Sequence, residues 1–226
     1  MKILVALIVL VISAVLKCAE TSVYLHGLNA DINSPAYQKF FNELKTRGPL
    51  ITPILPGHTQ KNDLSNLNQA EMNLFFNNLM IVIANNESPE NTTIYAHSMG
   101  AILFKNYVPA EIRNKMKKII YFSPGVPPKY YGVFKWLVQF LPNSFNIPSY
   151  SPKELRLNDG LPVSSYEFLF NEIEQFKNNS TLLPNEEIRI HEKDEVVDVN
   201  ELKKTFPSIK MNNTAIKVPY HVYFLD

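Results

Sequence analysis

Short apolar runs alternate with longer amphipathic stretches along most of the chain. The runs have the length of β-strands, whereas the stretches repeat apolar residues at helical spacing. The pattern predicts strands at 22–26, 50–55, 92–96, 118–122, 187–191 and within 208–216, and helices at 34–47, 68–84, 99–107 and 199–204. Such alternation is typical of an α/β protein, so we expect a mostly parallel sheet of about six strands with helices on both faces.

Residues 124–165 depart from this alternation. They are rich in proline and aromatic residues, and no single period runs through them. We expect a small cap inserted over the sheet, within a single domain of residues 20–226. Aromatic side chains often line ligand sites, which makes Trp136 a candidate substrate contact. The alternative is that these rings only pack the cap against the sheet.

The first residues form a separate segment. A positive start is followed by an apolar run from Ile3 to Leu16, and polar residues follow from Lys17. A run of about 14 apolar residues is short for a membrane span and typical of a signal peptide. We expect residues 1–19 to be an export signal, and the protein to be periplasmic, envelope-associated or secreted. The alternatives are a retained anchor or a buried first helix. Cys18 could carry a lipid, although Lys17 stands where that processing prefers a small residue.

The composition indicates a folded globular protein and argues against several other classes. Of its 226 residues, 46% are hydrophobic and 19% are charged. The formal net charge of +1 and the lack of a Lys/Arg run give no support for nucleic-acid binding. The sequence has no His/Asp/Glu cluster at metal-ligand spacing, no glycine-rich phosphate loop and no dinucleotide fingerprint. We therefore expect neither a metal nor a cofactor.

Ser98 is the candidate nucleophile. It follows a predicted strand and opens a predicted helix, in Ala96-His97-Ser98-Met99-Gly100. A turn this sharp requires small residues two positions before and two positions after the serine, and Ala96 and Gly100 meet that requirement. The turn exposes the hydroxyl and directs the Met99 N–H towards the oxygen that becomes negative in acyl transfer.

A serine hydroxyl needs a base near neutral pH, and two histidines follow Ser98 in the chain. His221 lies in a loop-like segment past the last predicted strand, where it could reach Ser98, so it is the candidate base. His191 lies within a predicted strand, and we expect it to be structural.

The base in turn needs an orienting carboxylate. Asp194 comes just past the end of strand 187–191, which directs it to the carboxyl edge of the sheet. Asp198 is the alternative, although we expect it to cap the next helix. Glu192 and Glu195 are expected to be solvated.

Residues 26–28 follow the first predicted strand and are candidates for the other part of the site. An oxyanion hole needs a second donor, and the Leu28 N–H is placed to supply it. Gly27 would allow a substrate to approach the backbone, and His26 is a candidate substrate contact beside it. The alternative is an ordinary strand-to-loop turn with a capping histidine. We expect His97 to be packed or hydrogen-bonded beneath the turn at Ser98, and His58 to order a loop.

Together these segments resemble the α/β-hydrolase superfamily, and within it the carboxylesterase and monoacylglycerol-lipase-like branch. The matching pieces occur in the family's order along nearly all of the chain after residue 19: Leu25-His26-Gly27-Leu28, Leu55-Pro56-Gly57-His58, Ala96-His97-Ser98-Met99-Gly100, Lys193-Asp194-Glu195-Val196-Val197 and His221. Three features depart from the family pattern. Ala96 replaces the first glycine, the usual first two strands have no predicted counterpart, and we expect no final helix after His221.

The resemblance implies the α/β-hydrolase fold, with a cap after the strand that ends near Phe122. It also implies ester hydrolysis through an acyl-enzyme, without a cofactor. We expect a small-molecule ester as substrate, with a small or lipid-like acyl group; thioesters and amides use the same machinery. A catalytically silent hydrolase-like binding protein is the rival function. Membrane association through Cys18 or an uncleaved N-terminus, and a monomeric or dimeric state, are compatible with the sequence.

Overall fold

The computed structural model describes residues 20–59, 64, 67–86, 88–149 and 151–226. The predicted export signal and Cys18 lie outside the described residues, as does Tyr150 of the predicted cap. In the described part of the chain, no helix combines the length and apolar character needed to cross a membrane.

Six parallel strands form the main sheet, in the order β2-β1-β3-β4-β7-β8. The strands are β1 (Thr21–Leu25), β2 (Leu50–Ile51), β3 (Thr92–His97), β4 (Lys118–Phe122), β7 (Glu186–His191) and β8 (Lys210–Asn212). The prediction of a mostly parallel sheet of about six strands is therefore confirmed. Strand β2 ends two residues before Pro53, which is shorter than predicted, because a proline supplies no N–H to a ladder.

Seven α-helices connect or flank the strands. They are α1 (Pro35–Lys45), α2 (Gln69–Asn86), α3 (Met99–Tyr107), α4 (Ala110–Arg113), α5 (Tyr131–Val138), α6 (Val163–Asn178) and α7 (Val199–Thr205) among the described residues. Buried side chains of α1 join Tyr24 and Tyr95 on one face of the sheet. Those of α2, α3, α6 and α7 join Leu25 and Ile94 on the other face. Successive residues of a strand therefore contribute in turn to two separate hydrophobic cores, one on each face of the sheet.

The face that carries α1 is apolar at one end of the sheet and charged at the other. Glu187 of β7 lies between Lys118 of β4 and Lys210 of β8, and it pairs with both and with Arg189. The side chains of Lys118 and Lys210 are 41% and 62% exposed. The strands at this end therefore face solvent with an ion-pair network in place of a covering helix.

The predicted cap region contains α5 and a short antiparallel hairpin of β5 (Asn146–Pro148) and β6 (Gly160–Pro162). Two 3-10 turns, Pro89–Asn91 and Lys153–Leu155, and a third at the C-terminal end, Tyr220–Leu225, complete the described elements. Helix α6 begins at the last residues assigned to the cap and was not predicted. It packs on α3 and α5, so it connects the cap to the sheet.

Candidate active site

The turn between β3 and α3 holds Ser98 in a strained conformation, with φ 50° and ψ −116°. Its N–H donates to the Phe122 carbonyl at 3.0 Å, which ties the turn to β4. A Cβ atom on Gly100 would lie 2.6 Å from the His26 carbonyl oxygen, so only glycine allows α3 to approach β1 this closely. Ala96 is completely buried. The packing thus explains why small residues flank the serine at these two positions.

Asp194 and His221 meet at the carboxyl edge of the sheet. His221 Nδ1 lies 3.1 Å from both carboxylate oxygens of Asp194, whose side chain is completely buried. The same carboxylate accepts the N–H groups of Val196 at 2.9 Å and Val197 at 2.8 Å. Burial raises the pKa of Asp194, but His221 and the Val197 N–H are among the groups that outweigh it and lower the pKa to about 2. Asp194 is therefore an anion in the turn after β7.

The contact between Asp194 and His221 changes the pKa of His221 in the opposite direction. Burial lowers its pKa, but the facing carboxylate of Asp194 has the larger combined effect, so the pKa lies above its ordinary value. With Nδ1–H donated to Asp194, Nε2 is left as the acceptor. This is the tautomer that a general base requires.

The backbone of His221 is held on both sides. Its N–H donates to Glu195 Oε2 at 3.1 Å, and its carbonyl accepts from His97 Nε2 at 3.2 Å. Burial and the neighbouring His221 lower the pKa of His97, so its ring is neutral and Nε2 carries the proton. The expectation that His97 is packed and hydrogen-bonded beneath the turn is confirmed. Glu195 is exposed, as expected, but it also has this structural contact, which the sequence did not indicate.

The other candidates of this region have structural roles. Asp198 accepts the N–H groups of Asn200 and Glu201, both at 3.1 Å, and so caps α7 as expected. His191 accepts the Lys193 N–H at Nδ1 and faces the Thr214 carbonyl with Nε2 at 2.9 Å. Of the two aspartates considered for the acid, Asp194 contacts His221 and Asp198 does not.

The loop after β1 lies directly against Ser98. A Cβ atom on Gly27 would lie 3.1 Å from the Ser98 Cβ, so a larger residue there would displace the loop or the serine. Neither the Leu28 N–H nor the Met99 N–H donates a hydrogen bond to the described residues. Met99 directly follows Ser98 in the chain, and Leu28 follows the glycine that lies against it.

His26 supports this loop from below. Its Nε2 accepts the Leu55 N–H at 3.0 Å, so its Nδ1 carries the proton and donates to the Gly27 carbonyl at 2.9 Å. Burial, and to a lesser degree His58, lower the pKa of His26 to about 3. We predicted a substrate contact for His26, but the ring is 1% exposed and both nitrogens are bonded. The residue positions Gly27 instead.

His58 orders the loop opposite, as expected. Its Nε2 accepts the Asn29 N–H at 3.1 Å, and its Nδ1 faces the Pro56 carbonyl at 3.0 Å. The rings of His26 and His58 are in edge contact, with centroids 4.6 Å apart. The two histidines thus join the loop after β1 to the loop after β2.

Trp136, the candidate substrate contact of the cap, lies on α5. Its side chain is 57% exposed, and its ring packs on Phe140 with centroids 4.9 Å apart. Among the described residues, no hydrogen bond or ring contact joins it to Ser98 or His221. A cavity of about 350 Å³ lies elsewhere, between α1, β8 and the C-terminal turn, and its lining does not include Ser98.

No hydrogen bond joins Ser98 Oγ to His221 Nε2. Such contacts are often loose before a substrate binds. Gly125, in the loop after β4, borders the hydroxyl: a Cβ atom there would lie 3.6 Å from Ser98 Oγ. No pattern in the sequence indicates a place in the site for this glycine. Across the described residues, no group of three or more His, Cys, Asp or Glu side chains is arranged to hold a metal ion.

Comparison with solved structures places this arrangement in a known fold. A structure reported with the metagenome-derived lipolytic enzymes LipS and LipT superposes with a TM-score of 0.70 and 15% identity, over 93% of this chain and 88% of that one. The chain has the α/β-hydrolase fold. A soluble variant of the Saccharomyces cerevisiae monoglyceride lipase gives 0.58 and 13%, over 85% and 78%. The thioesterase domain from the curacin biosynthetic pathway gives 0.56 and 12%, over 91% and 87%.

Sequence comparison adds nothing to this structural likeness. No family model matches the chain, and no curated protein does. At identities of 12–16% the solved structures show the fold alone. The role of each side chain must therefore be argued from the geometry.

Proposed function

We propose that the protein is a serine hydrolase that cleaves carboxylic esters through an acyl-enzyme. The observation that carries the proposal is the anionic Asp194 paired with His221 at 3.1 Å, on the edge of the sheet where the turn presents Ser98. Two unbonded amides flank the same serine. A nucleophile, a base with its orienting acid, and two donors form the set that acyl transfer requires.

In the first half-reaction, His221 Nε2 takes the proton of Ser98 as Oγ attacks the ester carbonyl. The carbonyl oxygen becomes negative, and the Leu28 and Met99 N–H groups stabilise it. Asp194 stabilises the imidazolium of His221 that forms at the same moment. The imidazolium then gives its proton to the alkoxide that leaves, and the acyl group remains on Ser98.

In the second half-reaction, water repeats the attack on the acyl-enzyme. His221 takes a proton from the water, and the same two amides hold the oxyanion again. Collapse of this intermediate releases the carboxylic acid and returns the proton to Ser98. No other group is needed to balance the protons.

The cap supports a lipid-like acyl group as substrate. Helix α5 and its flanks expose a row of large apolar side chains, which are 47–83% exposed: Tyr130, Val133, Trp136, Leu137 and Phe140. Contiguous apolar surface of this kind commonly marks a binding site for an apolar partner. Among similar folds, the printed names include a monoglyceride lipase and lipolytic enzymes. A thioester is the second candidate substrate, favoured by the likeness to a thioesterase domain.

Replacement of the nucleophile tests the proposal. Ser98→Ala should lower kcat for p-nitrophenyl esters by roughly 10³- to 10⁶-fold. It should also abolish labelling by a fluorophosphonate probe. The matched control is Ser180→Ala, at an exposed serine beyond α6, which should leave both unchanged.

Two results would contradict the proposal. Hydrolysis retained by Ser98→Ala would move the chemistry elsewhere, and an unlabelled, inactive native chain would indicate a silent binding protein. A series of acyl-chain lengths, repeated with the matching thioesters, then separates the lipid-like from the thioester substrate.

A further inference from the structure

Asn29 lies one residue beyond the proposed oxyanion donor Leu28 and is 3% exposed. Its backbone has φ 61°, in the left-handed region that asparagine tolerates better than most residues do. Asn29 takes no part in the proposed transfer of protons or of the acyl group. Its side chain nevertheless makes four hydrogen bonds beside the proposed site.

Asn29 contacts three residues of the cap: Ser149, Leu157 and Asn158. Its Oδ1 accepts the Asn158 N–H at 2.8 Å, and its Nδ2 donates to the Asn158 carbonyl at 2.9 Å and to Ser149 Oγ at 3.3 Å. Its own carbonyl accepts the Leu157 N–H at 3.0 Å. One buried amide side chain thus acts as donor and acceptor to the same backbone stretch.

The backbone on either side of Leu28 is held as well. The Gly27 carbonyl belongs to the same planar peptide as the Leu28 N–H and points the opposite way. It accepts from His26 Nδ1 at 2.9 Å and from the Ala30 N–H at 3.4 Å. On the other side, the Asn29 N–H donates to His58 Nε2 at 3.1 Å. The direction of the Leu28 N–H therefore depends on anchors at both of its neighbours.

We propose that Asn29 is a positioning residue that couples the cap to the oxyanion hole. Its side chain fixes the loop 27–30 against Ser149 and Asn158 of the cap, so that the Leu28 N–H points at the oxygen beside Ser98. A shift of the cap segment is then transmitted to the donor. The inference rests on the proposed function, because it assigns Asn29 a part in that reaction.

Two substitutions separate the side chain of Asn29 from its backbone. Asn29→Gly keeps the left-handed conformation accessible but removes all side-chain bonds to the cap. We expect kcat for a p-nitrophenyl ester, and the rate of fluorophosphonate labelling, to fall roughly 10- to 100-fold, because both reactions develop charge in the oxyanion hole. Both rates should fall further in Asn29→Ala, because alanine also disfavours the left-handed backbone.

The matched control is Asn185→Ala, at the opposite end of the sheet. Asn185 Nδ2 donates to the carbonyls of Arg113 at 2.9 Å and Met116 at 2.7 Å, so this variant also loses side-chain amide hydrogen bonds to backbone carbonyls, here partly buried ones. It should lower the melting temperature but leave kcat and the labelling rate unchanged. Ser149→Ala, which removes only the longest contact of Asn29, provides a milder second variant and should show a smaller fall in kcat.

The outcomes of this experiment are distinct from those of the nucleophile test. If Asn29→Gly is folded and its kcat and labelling rate stay within about twofold of the native values, the positioning role is wrong while Ser98 can remain the nucleophile. Should Asn29→Gly not fold, an unchanged kcat in Ser149→Ala overturns the proposal. Loss of the nucleophile assignment is read from Ser98→Ala alone.

Discussion

The candidate site has two parts that differ in their charge: the pair of Asp194 and His221, and the loop after β1. Asp194 and His221 form an ionisable pair, in which the pKa of the acid is lowered to about 2 and the pKa of the base is raised. The loop after β1 is supported by His26, a histidine that stays neutral because burial lowers its pKa to about 3. Proton transfer needs a group that titrates, whereas an oxyanion hole needs donors that do not move. We therefore expect Asp194 and His221 to determine how activity depends on pH, and His26 to contribute to how stability depends on pH.

The largest effect should come from the ionised pair. Asp194→Asn removes the negative charge and allows the wrong tautomer of His221, so we expect kcat to fall by roughly 10⁴-fold. Asp198→Asn makes the same chemical change at the cap of α7, where asparagine is an equally good N-cap. A kcat for Asp198→Asn close to that of the native chain, measured on the same ester, completes the contrast. Equal losses in the two variants would contradict the assignment of the acid.

A smaller effect, on stability, should come from the neutral part. The ordinary pKa of histidine is 6.5, and His26 in the folded chain titrates at about 3. Between these values the unfolded chain binds a proton that the folded chain does not, so stability falls as the pH falls. His26 alone should cost about 1.4 kcal/mol for each pH unit below 6.5.

Urea unfolding at pH 7.5 and pH 5 measures this loss. The comparison variant is His26→Gln, which cannot take up a proton but can still accept the Leu55 N–H. It should be less stable than the native chain at pH 7.5 and should lose less stability on acidification. An equal loss in both chains would show that another group, such as His97, accounts for the acid sensitivity.

The smallest effect should come from Glu195, which accepts the His221 N–H and favours the protonated ring. Since catalysis needs neutral His221, kcat/KM should fall as the pH drops through the raised pKa of that residue. Glu195→Gln retains an acceptor but loses the charge, and it should move this acid limb to lower pH by less than about half a unit. Glu192→Gln, at an exposed carboxylate that does not contact His221, should leave the limb in place. A shift of the same size in both variants would mean that Glu195 acts only through the general field.

The sequence predicted best those elements whose signals are local. Helix α3 and strand β4 have the bounds that the apolar pattern indicates, and the sharp turn at Ser98 is encoded by its small neighbours. Helix α6 was missed because its buried side carries Ser165 and Glu172 among the apolar residues, and no side chain caps its start. Polar residues on a buried face interrupt the period that identifies a helix.

The contacts that organise the site are of long range, and this is why they could not be predicted. Asn29 meets its partners 120 and 129 positions further along the chain. His26 lies in a motif that suggested a substrate contact. Its nitrogen instead accepts the Leu55 N–H, and only the fold brings these two groups together. A motif in the sequence locates such a residue without showing which of its atoms remain available.

The ion-pair network around Glu187 has a consequence for how this scaffold can change. Substitutions among Lys118, Arg189 and Lys210 alter cations that are 36–62% exposed, and ion pairs of such exposed side chains contribute little each. Substitutions at Tyr95 or Phe122, on the same face, would open a packed core. The charged end of the sheet is thus the region where substitutions, or a fused segment, should reduce the stability of the chain least. A redesign that seeks a new interface on this enzyme-like fold should begin there.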